Sequence, residues 1–510
     1  MRRAVAGCVA VTMIVTGCTA GRGGTAAGKT AKDTVVFADR GQVPTLDPAR
    51  SDYVQTDAAD RILYDTLVTY DKQGKLVGEL AESFAYSADV RSIKVKLRAR
   101  AKFHDGTPVT AKDVAYTLDR NTKIAGIDML TKSYRSTTVD GDLGLTIQLK
   151  QPDTLFAGAL SRIYIVNSAL VQKHAGSDLG QSWLANHDAG SGPYALTSSV
   201  PGRIETQRYD GYWSFDDARP KKFVELQVDE TAARRDGLVS GTIDITGVNS
   251  QDRPVVEKAG IEYQPTAGGG MDAIFFNTSY GPTANPKVRK AVRLAFDYEG
   301  SVAKIDAGDS EVANGPLPSY LPCRPDLPKS KQDLGRAKQL LAEAGLSNLR
   351  LTMTFQPAFA EQAQKATLLK SNLQQIGVTL DLQPITFPSY LTKLRDWKQV
   401  PQLMLLSENL PYPEPGIELS QVYNSKAVGT NKGAYKNPKV DALLDQAATE
   451  PDADKRCELY RTTQELIDAD DVIMPLNYAK SGVYHSPGVT GVDRIAAASG
   501  VDLGYVTLKR

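Results

Sequence analysis

Between residues 92 and 98 apolar and charged positions alternate: Ile93, Val95 and Leu97 against Lys94, Lys96 and Arg98. A period of two predicts a strand with one buried and one wet face. Asp105-Gly106-Thr107-Pro108 then interrupts the pattern with turn residues. Thr110, with Asp113 three residues on, predicts a capped helix whose apolar stripe is Val114, Ala115 and Leu118. Further apolar or alternating runs at 34–38, 145–149, 273–276, 378–382 and 402–406 predict strands, and 163–166 is a short β-like run. Helices are predicted at 232–239, from Asn285-Pro286, from Asp333 to Gly345, at 360–376, from Asn437-Pro438 and at 454–467. Strands that alternate with helices place the chain in the α/β class.

The N-terminus has a different pattern. Arg2-Arg3 precedes a short apolar run over 4–14, as in an export signal, expected to span 1–17. Val15-Thr16-Gly17-Cys18 resembles a bacterial lipobox, which implies lipidation at Cys18 and an anchor in the cell membrane. Residues 18–32 are rich in Gly, Ala, Thr and Lys and read as a flexible tether. Gly23 to Thr30 fits the phosphate-loop pattern, but no strand precedes it and a strand-like run follows, so the match is chance.

Composition narrows the function classes. The 510 residues are 41% hydrophobic and 23% charged, an ordinary globular balance. The net charge is +1, and the signal removes Arg2 and Arg3. Nothing marks a nucleic-acid partner, and no second apolar run reaches the ~18 residues that span a bilayer. Cys323 and Cys457 are compatible with a disulfide or with two separate thiols. The Cys and His spacings fit no metal site, and no cofactor is implied. The catalytic motifs H-E-x-x-H and G-x-S-x-G are absent. His104-Asp105 sits at a strand-to-turn junction, where structural hydrogen bonding is expected.

Several words recur in a telling order: LDP at 46–48, LYDTLV at 63–68, LAESF at 80–84, KFHDGTPVTAKDV at 102–114, GSGPY at 190–194, Tyr212-Trp213 and Met474-Pro475-Leu476. This order resembles the extracytoplasmic solute-binding proteins of peptide-type ABC transporters, family 5. The resemblance runs over about residues 34–480. It implies a two-lobed periplasmic-binding-protein fold of type II, with an extra small domain and a hinge between lobes. The expected division is 33–48, 186–266 and 484–510 for the first lobe, 49–185 for the small domain and 267–483 for the second lobe, with Gly268-Gly269-Gly270 at the junction. The implied function is capture of a ligand, foremost an oligopeptide, by a monomer that delivers it to the transmembrane subunits of an ABC permease. An oligosaccharide is the alternative within the family, and a secreted hydrolase the alternative outside it.

Candidate ligand-binding residues are Asn277, Glu408, Asn409, Tyr412, Tyr423 and Asn424, which flank strand ends in the second lobe. Among the tryptophans, Trp213 is expected in the core and Trp397 in core or pocket. Peptide binders of the family often carry an Asp for the ligand's amine after the buried strand; here Pro411 stands in its place. Glu408 is the nearest carboxylate that would replace it.

Overall fold

The fold was analysed in a computed structural model that describes residues 33–509, apart from 250, 251, 267, 268, 395, 397, 428, 494 and 497–499. The signal at 1–17, Cys18, the tether, Gly268 and Trp397 therefore lie outside the described residues.

The alternation at 93–97 does form a strand. In Ser92–Leu97, Ile93, Val95 and Leu97 are buried while Lys94 and Lys96 are exposed. It is an inner strand of a four-stranded antiparallel sheet ordered Ala81–Tyr86, Ser92–Leu97, Gly144–Leu149, Tyr134–Asp140. Helix Ala111–Asn121 covers it with Val114 and Leu118. The Asp113 carboxylate accepts from the Thr110 amide at 2.9 Å and hydroxyl at 2.7 Å, fixing the helix start. This sheet is the core of the small domain.

The first lobe holds a seven-stranded sheet ordered Glu262–Thr266, Ser481–His485, Ile245–Thr246, Thr34–Asp39, Lys222–Gln227, Arg203–Arg208, Tyr194–Val200. Thr34–Asp39 runs parallel to both of its neighbours. The GSGPY turn packs against the end of helix Val54–Leu63. A Cβ on Gly190 would lie 1.9 Å from the Leu63 carbonyl oxygen, so the close approach requires glycine. His104 braces the same turn: Nδ1 meets Asp188 Oδ2 at 2.6 Å and Nε2 meets the Gly192 carbonyl at 2.9 Å.

The second lobe holds a six-stranded mixed sheet ordered Ser310–Val312, Ile473–Ala479, Met271–Phe276, Leu403–Glu408, Arg350–Phe355, Thr379–Pro384. Its middle strands carry apolar residues on both faces over Ala273–Phe276 and Leu403–Leu406 because both faces are covered. Ala273, Phe275, Met404 and Leu406 face one core, with Tyr423, Tyr460 and Ile467. Ile274, Phe276, Leu403 and Leu405 face the other, with Val288, Val292 and Leu369. Each fully buried Leu, Ile or Phe contributes about 1.5–3 kcal/mol. Helices Pro286–Ala295, Leu334–Glu343 and Pro438–Ala447 start at Asn285, Asp333 and Asn437, whose side chains accept from Lys287, Arg336 and Lys439 amides.

The chain passes between the lobes twice, side by side. Glu262–Thr266 pairs with Ser481–His485 in the first sheet, and Met271–Phe276 pairs with Ile473–Ala479 in the second. The Ala479 amide donates to the Gly270 carbonyl at 2.8 Å, tying the crossings together as the hinge. Ile473–Ala479 lies in the second sheet and Ser481–His485 in the first, so the chain passes from one sheet to the other at Lys480.

Two expectations needed structure to resolve. The run 163–166 is buried, yet only Tyr164 makes a bridge, to Thr66. Its amides donate instead to scattered acceptors: Ile165 to the Asp65 carbonyl and Val166 to the Thr117 hydroxyl. Cys323 and Cys457 form a disulfide, with Cα atoms 5.0 Å apart, which ties a loop of the second lobe to helix Ala453–Ala469.

Candidate ligand-binding site

A cavity of about 760 Å³ lies between the lobes. Three surfaces build it. Strand ends of the first sheet contribute Phe37, Asp39, Gly247, Gly482 and Val483. The small domain contributes an apolar wall of Ile127, Met129, Leu130, Leu155 and Phe156. The segment that leaves strand Leu403–Glu408 contributes Asn409, Leu410, Pro411 and Tyr412 from the second lobe.

A buried charge cluster gathers around helix Val54–Leu63 on the side of the cavity opposite the second lobe. Asp57 and Arg61 lie one turn apart on helix Val54–Leu63, and Asp57 Oδ2 meets Arg61 Nη2 at 3.0 Å. The same oxygen meets Arg162 Nη1 at 3.2 Å, and Tyr164 donates its hydroxyl to Asp57 Oδ1 at 2.7 Å. Burial would lower the Arg61 pKa, but the Asp57 charge and hydrogen bond raise it on balance. The adjacent Asp60 carboxyl is pushed well up, by burial first and then by the charges of Asp57 and Asp47.

Contacts between the lobes frame the cavity. Arg162 Nη2 donates to the Ser51 carbonyl at 2.8 Å, and Nη1 to the Pro411 carbonyl at 3.3 Å in the other lobe. Tyr412 reaches back to the Leu155 carbonyl at 3.4 Å. Its ring lies so close to Gly158 that a Cβ there would be 2.7 Å from Cε2.

Of the six candidates, Asn409 and Tyr412 line this cavity; Asn277, Glu408, Tyr423 and Asn424 do not. Asn277 organises its own loop: Nδ2 donates to the Val400 carbonyl at 2.9 Å, and Oδ1 accepts from the Ser279 and Tyr280 amides. Glu408 shares the strand face of Met404 and Leu406, so its side chain enters the core and pairs with Lys432. Glu408 is thus not an open carboxylate for a ligand amine. Lys432 also meets Glu418 at 3.2 Å and sits 5.0 Å from the Phe275 ring centroid. Tyr423 is buried and its hydroxyl points to the Pro316 carbonyl at 3.5 Å. Asn424 accepts the Lys426 amide at 2.8 Å. Trp213 is packed at the edge of the small-domain core and donates to Asp65 Oδ2 at 3.2 Å. Asp57, Arg61 and Arg162 were not among the sequence candidates. Their signals are an Asp and an Arg four residues apart in a polar helix, and one arginine inside an apolar stretch.

A family model described as Bacterial extracellular solute-binding proteins, family 5 Middle matches residues 75–430. The chain belongs to that family. The family 5 protein is 27% identical over 476 residues to the glutathione-binding protein of Shigella dysenteriae, covering 90% of this chain and 92% of the relative. It is 25% identical over 456 residues to the probable D,D-dipeptide-binding periplasmic protein of Escherichia coli, covering 86% of each. The structure of HbpA2 from Haemophilus parasuis shares its fold, with a TM-score of 0.84, 21% identity and coverage of 94% of this chain and all of that one. As a family 5 member it is an extracytoplasmic binding component of ABC transport and not an enzyme, which removes the secreted hydrolase.

Proposed function

We propose that this protein is a lipid-anchored solute-binding protein that captures an oligopeptide between its lobes and delivers it to an ABC permease. The observation that carries the ligand class is the cavity itself. Its apolar small-domain wall of Ile127, Met129, Leu130, Leu155 and Phe156 suits peptide side chains, and Asn409 offers a polar side chain from the second lobe. Two relatives named for glutathione and for a D,D-dipeptide support the same class. The oligosaccharide alternative is weaker, because sugars are held by broad aromatic faces and here Tyr412 packs its ring against Gly158. Closure about the hinge follows from contacts that a ligand makes better in the closed form. The working division keeps 33–48 and 186–266 with the C-terminal segment as the first lobe, 49–185 as the small domain and the remainder as the second lobe, acting as a monomer.

Native mass spectrometry of the purified protein tests the ligand class. A bound mass that fragments into amino acids is expected; fragments of hexose units instead would move the oligosaccharide ahead. Cys18→Ser tests the anchor. The wild type should sediment with membranes and the variant should be soluble, and equal partitioning would remove the lipid anchor from the reading.

A further inference from the structure

The charges around the cavity are unevenly placed. Among the described residues the second-lobe wall contributes no Asp, Glu, Lys, Arg or His. On the opposite wall Asp57 is paired with Arg61 and Arg162, and Asp52 is paired with Arg50 at 3.0 Å. Three ionisable lining groups remain without an ion pair among the described residues: Lys132, Asp153 and Asp39.

Asp39 differs from Asp153 in its place. It ends strand Thr34–Asp39, in the middle of the first sheet, where parallel strands present their carboxyl ends to the cleft. Gly247 and Gly482, on the next two strands of that sheet or just beyond them, put no side chain over it, and a Cβ on Gly247 would meet nothing within 4 Å. Among the described residues, Asp39 Oδ1 accepts the amide of its neighbour Arg40, at 2.8 Å, and no side chain. Asp153 Oδ1 instead caps the turn into the small-domain helix at the Leu155 amide.

Among the described residues no cation pairs with Asp39 at ion-pair distance. Glu225, on the adjoining strand, is 5% exposed, and its Oε2 has no hydrogen-bond partner. Burial first, and then the Asp39 charge, push the Glu225 carboxyl up to about 8. The other charged group around the small cavity that Asp39 and Glu225 share is Arg203, and it pairs with Glu205. A negative charge in a partly enclosed, acid-rich corner attracts a cation strongly.

We infer that Asp39 receives the ammonium group of the ligand, so that the first lobe, not the second, reads the amino terminus of a bound peptide. This inference rests on the peptide reading above. The second lobe then closes with neutral contacts from Asn409 to Tyr412.

The test uses the full chain and a pancreatic digest of casein, offered with free amines and after acetylation, with retained peptides measured by mass spectrometry. The wild type should retain free peptides roughly tenfold or more over acetylated ones. Asp39→Asn should lose that preference with an unchanged melting temperature, Asp39→Glu should keep part of it, and Asp153→Asn should keep all of it. Equal retention of both digests by the wild type would overturn the role of Asp39 and leave the peptide reading standing. Loss of preference in Asp153→Asn but not in Asp39→Asn would overturn it too. Retention of neither digest would overturn the peptide reading itself, and the inference with it.

Discussion

Arg162 Nη1 donates to the backbone carbonyl of Pro411 in the second lobe at 3.3 Å and also meets Asp57 Oδ2 at 3.2 Å, while Nη2 donates to the Ser51 carbonyl. One side chain therefore reads the charge cluster of one lobe and the position of the other.

The first prediction follows from that bridge. Arg162→Met keeps the length of the side chain and removes the bond to Pro411. The radius of gyration of the ligand-free protein in small-angle scattering should rise as the lobes part. Unfolding stability should fall by about 1.5–3 kcal/mol, the range for lost hydrogen bonds to a charged group. An unchanged scattering profile would mean that the bridge does not hold the lobes together.

The second concerns Lys432. It neutralises Glu408 and Glu418 under the second-lobe sheet. Burial first pushes Glu418 up, and its balance with Lys432 and Glu408 leaves it at about 8. Lys432→Met leaves a buried carboxylate without its counter-charge, and urea unfolding should show a loss of about 3–5 kcal/mol. Glu408→Gln should not alter any preference for free over acetylated peptides, because Glu408 faces the core.

The third concerns pH. Glu79 accepts from the Thr66 amide and hydroxyl, and burial, with the Asp65 charge behind it, raises its pKa from 4.5 to about 8. A group with a raised folded value binds its proton more tightly when folded. Its contribution is complete below about pH 4.5 and is lost as pH rises through 8. His104 acts in the same sense. Burial lowers its value, the Asp188 charge and hydrogen bond raise it further, and its imidazolium contribution fades above the usual value of 6.5. The urea midpoint should therefore fall between pH 5 and 9, with each group adding at most about 1.4 kcal/mol per pH unit. Glu79→Gln should flatten that slope; an unchanged slope would show that Glu79 titrates normally.

The fourth concerns the disulfide. Cys323 and Cys457 are 134 residues apart, so the link removes much of the unfolded chain's freedom. Replacing both by Ser should lower the unfolding free energy by up to about 5 kcal/mol. The measurement is the urea midpoint with and without reductant, and the double variant should no longer respond to reductant.

The sequence was most legible where one element carries its own signal. The alternation at 93–97 and the caps at Asn285, Asp333 and Asn437 stand as read. Where the signal lies between distant elements it was not legible. Leu403 to Leu406 is apolar on both faces, so nothing in the run shows which way Glu408 points. The Asp57 carboxylate takes its second guanidinium from Arg162, more than a hundred residues on, and only the fold brings them together. The disulfide was left open for the same reason.

The paired crossings at the hinge also order events during folding. Every strand of the second sheet lies within residues 271–479, so that lobe is a continuous insertion that needs nothing downstream. The first sheet instead keeps a gap between Glu262–Thr266 and Ile245–Thr246 until Ser481–His485 arrives. Half of the molecule thus waits for nearly the last segment of the chain, through contacts of long sequence separation that form slowly. A chain that stops at Lys480 can complete the second lobe, but the first would keep an open slot in the middle of its sheet.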